Sequence, residues 1–373
     1  MRERRPDDPA SLSHSGRVCQ GRDTSSRNPA ASGLNIAPSR TVAFVHVFTN
    51  LKSASWADRR AHRVSAVEER VAAEAAPRDG TAAPPCPLCG RPGRLHLAQP
   101  DRLLGVRPDL THPYFSCGPC DHLFAPTIDT ALLLSFYPPN YYQGGAGGWR
   151  GAVGRVRQRN RARSIEWRAQ KGRVLDVGCG RGQVLEQLRQ RGWQVSGMDW
   201  NPDNARDVAN RLQIEVAAGP DGLEQFAPES FDAISMFHVL EHEQQPLDLL
   251  RRIHRILKPG GRLLVGVPNG NSAARHLFGR HWMGYDFSRH RQVFSPRSLA
   301  ATLHAGGFHT DRVQGRLEDE VIDAEGSAKL FLSSHGVRSP LLAIVIALGA
   351  LSLIAVPRLL GQYSAMYSFA HKR

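Results

Sequence analysis

The sequence predicts an α/β fold: a doubly wound, mostly parallel sheet with helices on both faces, preceded by a small cysteine module and a poorly structured N-terminal stretch. Three observations carry that prediction. From residue 173 onward, short apolar runs alternate with helical patterns at strand–helix–strand spacing. A glycine-rich turn, Gly178-Cys-Gly180-Arg-Gly182, stands where the first of these runs gives way to a helical pattern. Two Cys-x-x-Cys pairs lie upstream of the alternation.

Taken in order, residues 1–84 are rich in Ser, Arg, Pro, Asp and Ala and show no sustained periodicity. They read as a disordered or poorly structured extension, with one candidate strand at 42–48 and a short polar helix at 57–76. Residues 85–127 hold the cysteine pairs. Residues 128–172 form a linker and a basic helix, with 143–149 as a flexible joint. The core spans 173–316, with strands expected at 173–177, 194–199, 214–217, 231–237 and 262–267. Helices are expected at 183–191, 202–212, 246–257 and 295–305, the last ended by Gly306-Gly307. An apolar insertion at 317–361 then separates a strand at 308–313 from a last core strand within 362–373.

The 373 residues allow two or three domains. Hydrophobic residues at 41% and charged residues at 22% exclude a wholly disordered chain, a collagen and a polytopic membrane protein. A net charge of +14 suggests an anionic partner: nucleic acid, a lipid surface or a phosphorylated substrate. Residues 150–173 alone carry nine Lys/Arg against one acid, Glu166. Interspersed apolar residues make a basic amphipathic helix a natural reading, either a solvated face or a surface for phosphate or anionic lipid. Six cysteines are too few for a disulfide scaffold. Residues 1–50 show no early apolar run of the kind a secretory signal carries, so a reducing, cytoplasmic compartment is expected.

Cys86 and Cys89, with Cys117 and Cys120, place two thiolates on each of two tight turns. That is the sulfur set of a structural zinc ribbon, and four thiolates leave no open position for catalysis. Cys179 lies in the glycine loop and reads as packing. The loop itself is G-x-G-x-G; Gln183 stands where a dinucleotide fingerprint would want its third glycine. Asp176 precedes the first glycine by two. An acid there repels a pyrophosphate and suits a cation. Asp199, ending the next strand, is placed to accept from both hydroxyls of a ribose. S-adenosylmethionine offers an ammonium, a sulfonium and a free ribose.

At this point the chain resembles the class I S-adenosylmethionine-dependent methyltransferases, whose fold is Rossmann-like. Phe231-Asp-Ala-Ile-Ser-Met-Phe-His238-Val-Leu-Glu241-His242 and Leu257-Lys-Pro-Gly-Gly-Arg-Leu-Leu-Val265 match further marks of that family. The pattern is most similar to a bacterial subgroup with an N-terminal zinc ribbon that methylates sugars and small or lipid-linked metabolites. Residues 137–142 and the stretch Arg280-His-Trp282 to Phe294-Ser resemble segments of that subgroup. The resemblance implies that Asp176, Gly178, Gly180 and Gly182 hold the methionine end of the cofactor and Asp199 its ribose. It places Asp221 and Gly222 near the adenine and His238 on the pocket floor.

Methyl transfer needs a base only where the acceptor must lose a proton. His290 and His242 are the candidates, in that order, because histidine titrates near neutral pH; a structural role bonded to backbone is the competing reading for each. Residues 341–356 are sixteen uncharged, mostly apolar residues. A membrane span needs ~20, and a full crossing would part the last strand from its sheet. A hairpin or interfacial helix dipping into one leaflet is expected, with a buried cap or dimer contact as the alternative. The expected activity is methyl transfer to an oxygen (or carbon) of a sugar or lipid-linked small molecule, by a cytoplasmic enzyme peripheral or monotopic on the inner membrane. RNA methylation, with ribbon and basic segment gripping phosphate, is the second reading. A ligand-binding protein with a relic fold is the third. Nucleic acid is not the expected partner, because no Asn/Asp-Pro-Pro-Tyr/Phe follows the fourth strand.

Overall fold

A computed structural model describes residues 83–100, 110–137, 148–166 and 171–373. The readings made for residues 1–82, and those for 138–142 and 143–147, lie outside the described residues.

Seven strands form the main sheet: β4 (Arg173–Val177), β5 (Gln194–Asp199), β6 (Val216–Ala218), β7 (Phe231–Phe237), β8 (Leu257–Pro268), β10 (Phe308–Gln314) and β11 (Ala365–Lys372). Their order is β10-β11-β8-β7-β4-β5-β6. The pairs β4/β5, β5/β6, β4/β7 and β7/β8 are parallel, while β11 is antiparallel to both β8 and β10. This is the expected mixed α/β architecture with a parallel centre. Strand order reverses at β4, so the loop after β4 opens on the crevice where such sheets bind ligands.

Helices cover both faces because the strands are apolar on both. On one face Leu249, Leu250 and Ile253 of α5 (Pro246–Ile256) and Leu299 and Leu303 of α7 (Pro296–Ala305) pack on Leu175, Ile234 and Val265. On the other, Ala162 and Ile165 of α2 (Gly148–Ile165) and Val184 and Leu188 of α3 (Gln183–Gln190) cover Val174, Ala233 and Leu264. Helix α4 (Pro202–Leu212) packs beyond α3. Element ends shift by a few residues from the sequence expectation. β8 begins at Leu257, because Leu257 pairs with Phe231 and the Pro-Gly-Gly turn is absorbed as an irregularity in the ladder.

A second, antiparallel sheet runs β1 (Arg94–Pro100), β2 (Thr111–Cys117), β3 (His122–Phe124) and β9 (Gln292–Phe294). Three of its strands come from the cysteine module, and the fourth is lent by the core. A short helix, α1 (Thr130–Ser135), follows the module.

Between β10 and β11 two helices are inserted, α8 (Leu317–Ser334) and α9 (Pro340–Leu359). Helix α9 is one continuous helix through Pro357, so no hairpin forms inside 341–360; the hairpin is α8 with α9. Ala343, Ala347 and Ala350 of α9 meet Ala324, Ala328 and Leu332 of α8. Small side chains at these spacings let the two helices approach closely.

Candidate active site

Gly178, Gly180 and Gly182 all have positive φ, at 68°, 52° and 68°. A Cβ at Gly178 would meet Val239 Cγ2 at 2.4 Å, so neither conformation nor space admits a side chain there. The backbone N–H groups of Gly178 and Cys179 both donate to the Met198 carbonyl, at 2.8 and 3.0 Å, and tie the loop to β5. At the end of β5, Asp199 accepts from the Gly180 N–H at 2.9 Å and from the Asn201 N–H at 3.0 Å. Asp176 is buried behind the loop and accepts from the Ser235 hydroxyl at 2.6 Å. Burial pushes its carboxyl up to about 7. The Cys179 thiol is pushed well above its ordinary range by the same cause, as suits a packing residue.

Gly178, Gly180, Asp199, His238, His242 and His290 open on one cleft of about 850 Å³. Beside it lies a smaller hollow of about 160 Å³, lined by Met198, Pro220 and Leu223. Trp200 and Val239 face both. Four predicted residues sit off the main cleft. Gly182 caps α3 against Val208. Gly222 is buried on Met198 and Ala217. Asp221 is exposed at the start of the 3-10 turn Gly222–Gln225. Asp176 acts on the cleft only through the loop it supports.

The three histidines differ in what their nitrogens do. Arg157 Nη2 lies 2.5 Å from His238 Nε2. A guanidinium only donates, so Nε2 carries the lone pair and Nδ1–H donates to Glu241 Oε1 at 2.9 Å. Burial and the Arg157 charge hold the ring well below its ordinary pKa. His238 is thus a fixed neutral spacer, held at φ 59°. His242 Nδ1 meets the Tyr137 hydroxyl at 3.1 Å, and the ring also bonds the Arg289 backbone. His290 Nδ1 donates to the Gly284 carbonyl at 2.9 Å. That tautomer leaves the Nε2 lone pair free of a proton, 3.9 Å from Asp286 Oδ2. Burial lowers the His290 pKa, so the ring is neutral at pH 7 and able to accept a proton.

Several cleft residues escaped the sequence reading. Arg157 and Arg161, counted there as part of a surface charge run, point inward. Arg157 Nε pairs with Asp319 at 2.7 Å, and the Tyr367 hydroxyl donates to the same carboxylate at 2.6 Å. Arg161 is 6% exposed and lies 4.7 Å over the Phe237 ring. Its Nε and Nη2 are buried without a hydrogen-bond partner. Asp323, on α8, accepts from Trp282 Nε1 at 2.9 Å, and burial pushes it up to about 7. Glu241 comes within 4.8 Å of His242 and His290 through its ligand atoms. The arginine run itself was visible; its inward spacing was not, because Arg155, Arg159 and Arg163 share the i, i+4 period of Arg157 and Arg161.

Cys86, Cys89, Cys117 and Cys120 bring their sulfurs within 4.8 Å of one another, with Cys89 and Cys117 3.6 Å apart, and all four are free thiols. Burial and the neighbouring thiols push Cys86 up to about 12. Four converging sulfurs are the donor set a dication stabilises. The module is wired to the cleft. β3 pairs with β9, and the Tyr114 hydroxyl lies 2.5 and 2.7 Å from the carbonyls of Tyr285 and His290.

Residues 149–313 match the methyltransferase domain family. The chain is 33% identical over 158 residues to the ubiquinone biosynthesis O-methyltransferase of Xanthomonas oryzae pv. oryzae, a match that takes in 39% of this chain and 66% of that relative. Among solved structures, it overlaps the 1,6-didemethyltoxoflavin-N1-methyltransferase of Burkholderia thailandensis, with bound S-adenosylhomocysteine, at 18% identity, covering 67% of this chain and 95% of that one with a TM-score of 0.42. It also overlaps a phosphoethanolamine N-methyltransferase of Haemonchus contortus at 16% identity, covering 67% and 61%, TM-score 0.42. These overlaps are loose and say nothing of the acceptor.

Proposed function

With residues 149–313 carrying a methyltransferase domain, we propose that this protein moves a methyl group from S-adenosylmethionine to an oxygen (or carbon) of a small-molecule acceptor, of the sugar or lipid-linked class. The observation that carries this reading is the pairing, in one cleft, of a carboxylate-backed glycine loop with Arg161, whose Nε and Nη2 are buried without a hydrogen-bond partner. A buried donor without a partner is costly, and the carboxylate of an amino-acid end would satisfy it. Asp199 suits the ribose, while Asp176 acts through the glycine loop it supports. The hollow beside Trp200, walled by Met198, Leu223 and Val239 with Glu243 and Arg252 at its polar side, suits a flat base with hydrogen-bonding edges.

When bound, S-adenosylmethionine supplies a methyl on a good leaving group, so alignment accounts for much of the rate. The chain's own residues then hold the acceptor and manage its proton. His290 Nε2 takes the hydroxyl proton, while the Gly284 carbonyl fixes the ring's tautomer through Nδ1. Asp286 stabilises the charge that develops on the ring. His242 orients Tyr137 at the cleft wall through Nδ1. The name of the Xanthomonas relative supports oxygen as the acceptor atom. RNA as acceptor loses support, since Arg157 and Arg161, two of the charges it would use, are buried against protein groups. Cys86, Cys89, Cys117 and Cys120 hold a structural zinc in this reading, and the enzyme works in the cytoplasm.

Two variants test it. Asp199→Ala is expected to weaken S-adenosylmethionine binding by about 10–100-fold, the worth of hydrogen bonds to a charged group. His290→Ala is expected to leave that affinity unchanged and to slow transfer by ~10²–10⁴-fold. Calorimetry and labelled-methyl transfer to fractionated lipids, glycans and RNA read both; label recovered in RNA would overturn the assignment.

A further inference from the structure

The α8–α9 hairpin leaves an apolar face uncovered. Helix α9 buries only Ala343, Ala347, Ala350 and Ile354 against the body. Leu341, Val345, Leu348, Leu353, Val356 and Leu359 stand 59–80% exposed. No charged residue occurs between Arg338 and Arg358. Scattered exposed leucines are ordinary; a continuous apolar stripe about 30 Å long on one helix is not.

We propose that this face seats the protein on an anionic phospholipid bilayer, with α9 lying in the plane of the interface rather than crossing it. The fold sets the orientation. Helix α9 is long and apolar enough to span, but α8 before it and β11 after it both pack in the same body, and β11 is paired on both edges, with β10 and β8. A crossing would tear β11 from the sheet. A helix with one face packed on protein and the other uncovered lies flat, its apolar side sunk to the acyl boundary.

Charge indicates the kind of surface. Helix α2 flanks α8, joined to it by Arg150–Glu325 and Arg157–Asp319 ion pairs and the Asn160–Glu318 hydrogen bond. While Arg157 and Arg161 turn into the cleft, Arg155, Arg159 and Arg163 form an exposed stripe at i, i+4 spacing. Helix α8 therefore carries an apolar helix on one flank and a basic one on another. Lipid phosphates would neutralise that stripe, whereas a second copy docked through α9 would bring two such stripes toward each other. Asp319, Ile322 and Asp323 of α8 also line the cleft, so the lipid-facing hairpin and the acceptor site share a wall. The seating does not rest on methyl transfer.

Flotation of the full chain with vesicles of phosphatidylcholine, alone or mixed with phosphatidylglycerol, tests this. The wild type is expected to float with the mixed vesicles and to remain behind with phosphatidylcholine alone. Val345→Glu and Leu348→Glu, both on the exposed face, should abolish flotation. Arg155→Ala, Arg159→Ala and Arg163→Ala should each weaken it by roughly fivefold, an effect that fades in high salt. Circular dichroism and S-adenosylmethionine binding should be unchanged throughout. The proposal is overturned if the wild type ignores mixed vesicles, or if Val345→Glu floats as well as wild type. It is equally overturned if the arginine variants bind undiminished, or if light scattering shows a dimer in solution that Val345→Glu splits.

Discussion

Tyr114 shows how a single side chain couples the cysteine module to the cleft. It is fully buried on β2, and its hydroxyl donates between the carbonyls of Tyr285 and His290. Its ring packs on Tyr285 and Phe287, at centroid distances of 5.6 and 5.1 Å. Tyr114→Phe keeps the ring and strips the donor from two buried carbonyls. The expected loss is ~1–3 kcal/mol in denaturant unfolding. Single residues were also where the sequence was hardest to read. Asp199 and the three loop glycines could be found because chain geometry at a strand end constrains them locally. Tyr114, Arg161 and Asp323 could not, since Tyr114 bonds groups 171 and 176 residues away, Arg161 stacks on Phe237, and Asp323 takes its indole hydrogen bond from 41 residues upstream. Nothing local distinguishes a buried arginine from a solvated one on a helix with the same period.

At the scale of elements, the ribbon and the hairpin were each half legible. Paired Cys-x-x-Cys spacing announced two converging cysteine turns, but not that β9, three residues of the core, would close the module's sheet. Strand pairing across some 170 residues leaves no local trace. It has a consequence that can be measured. With the four thiols holding zinc as proposed, removing it with a chelator, or by Cys86→Ser, is expected to raise amide hydrogen exchange across residues 285–294 while leaving the glycine loop protected. Equal protection there with and without metal would show that the module and the cleft are independent. The apolar run at 341–356 announced a helix, and its length was nearly right. Its fold-back on α8 depended on the alanine ridge, which sequence shows only once the partner helix is known. Ala347→Leu should overpack that ridge and destabilise the protein by about 1–3 kcal/mol.

For the whole molecule, burial pulls acids and histidines in and behind one cleft in opposite directions, and this bears on how stability depends on pH. Asp176, Glu243 and Asp323 are pushed up to about 7 and Glu241 to about 8, each chiefly by burial. Between their unfolded values near 4 and these folded ones, the native state holds more protons than the unfolded chain. Stability therefore falls as pH rises through that window. His238, His242 and His290 are all pulled down by burial. Below their unfolded value of about 6.5 the unfolded chain binds the extra protons, and stability falls as pH drops. The two slopes oppose each other between pH ~4 and ~6.5, and above that only the acids act. Thermal unfolding of the ligand-free protein should therefore show a melting temperature that declines from pH ~6.5 toward pH 8. Replacing Asp323 with Asn removes one of the ionisations behind that decline, so Asp323→Asn should flatten the basic limb. A melting temperature that keeps climbing to pH 8 in both proteins would mean that these carboxyls ionise as freely as in water, and that the cleft is far wetter than its walls imply.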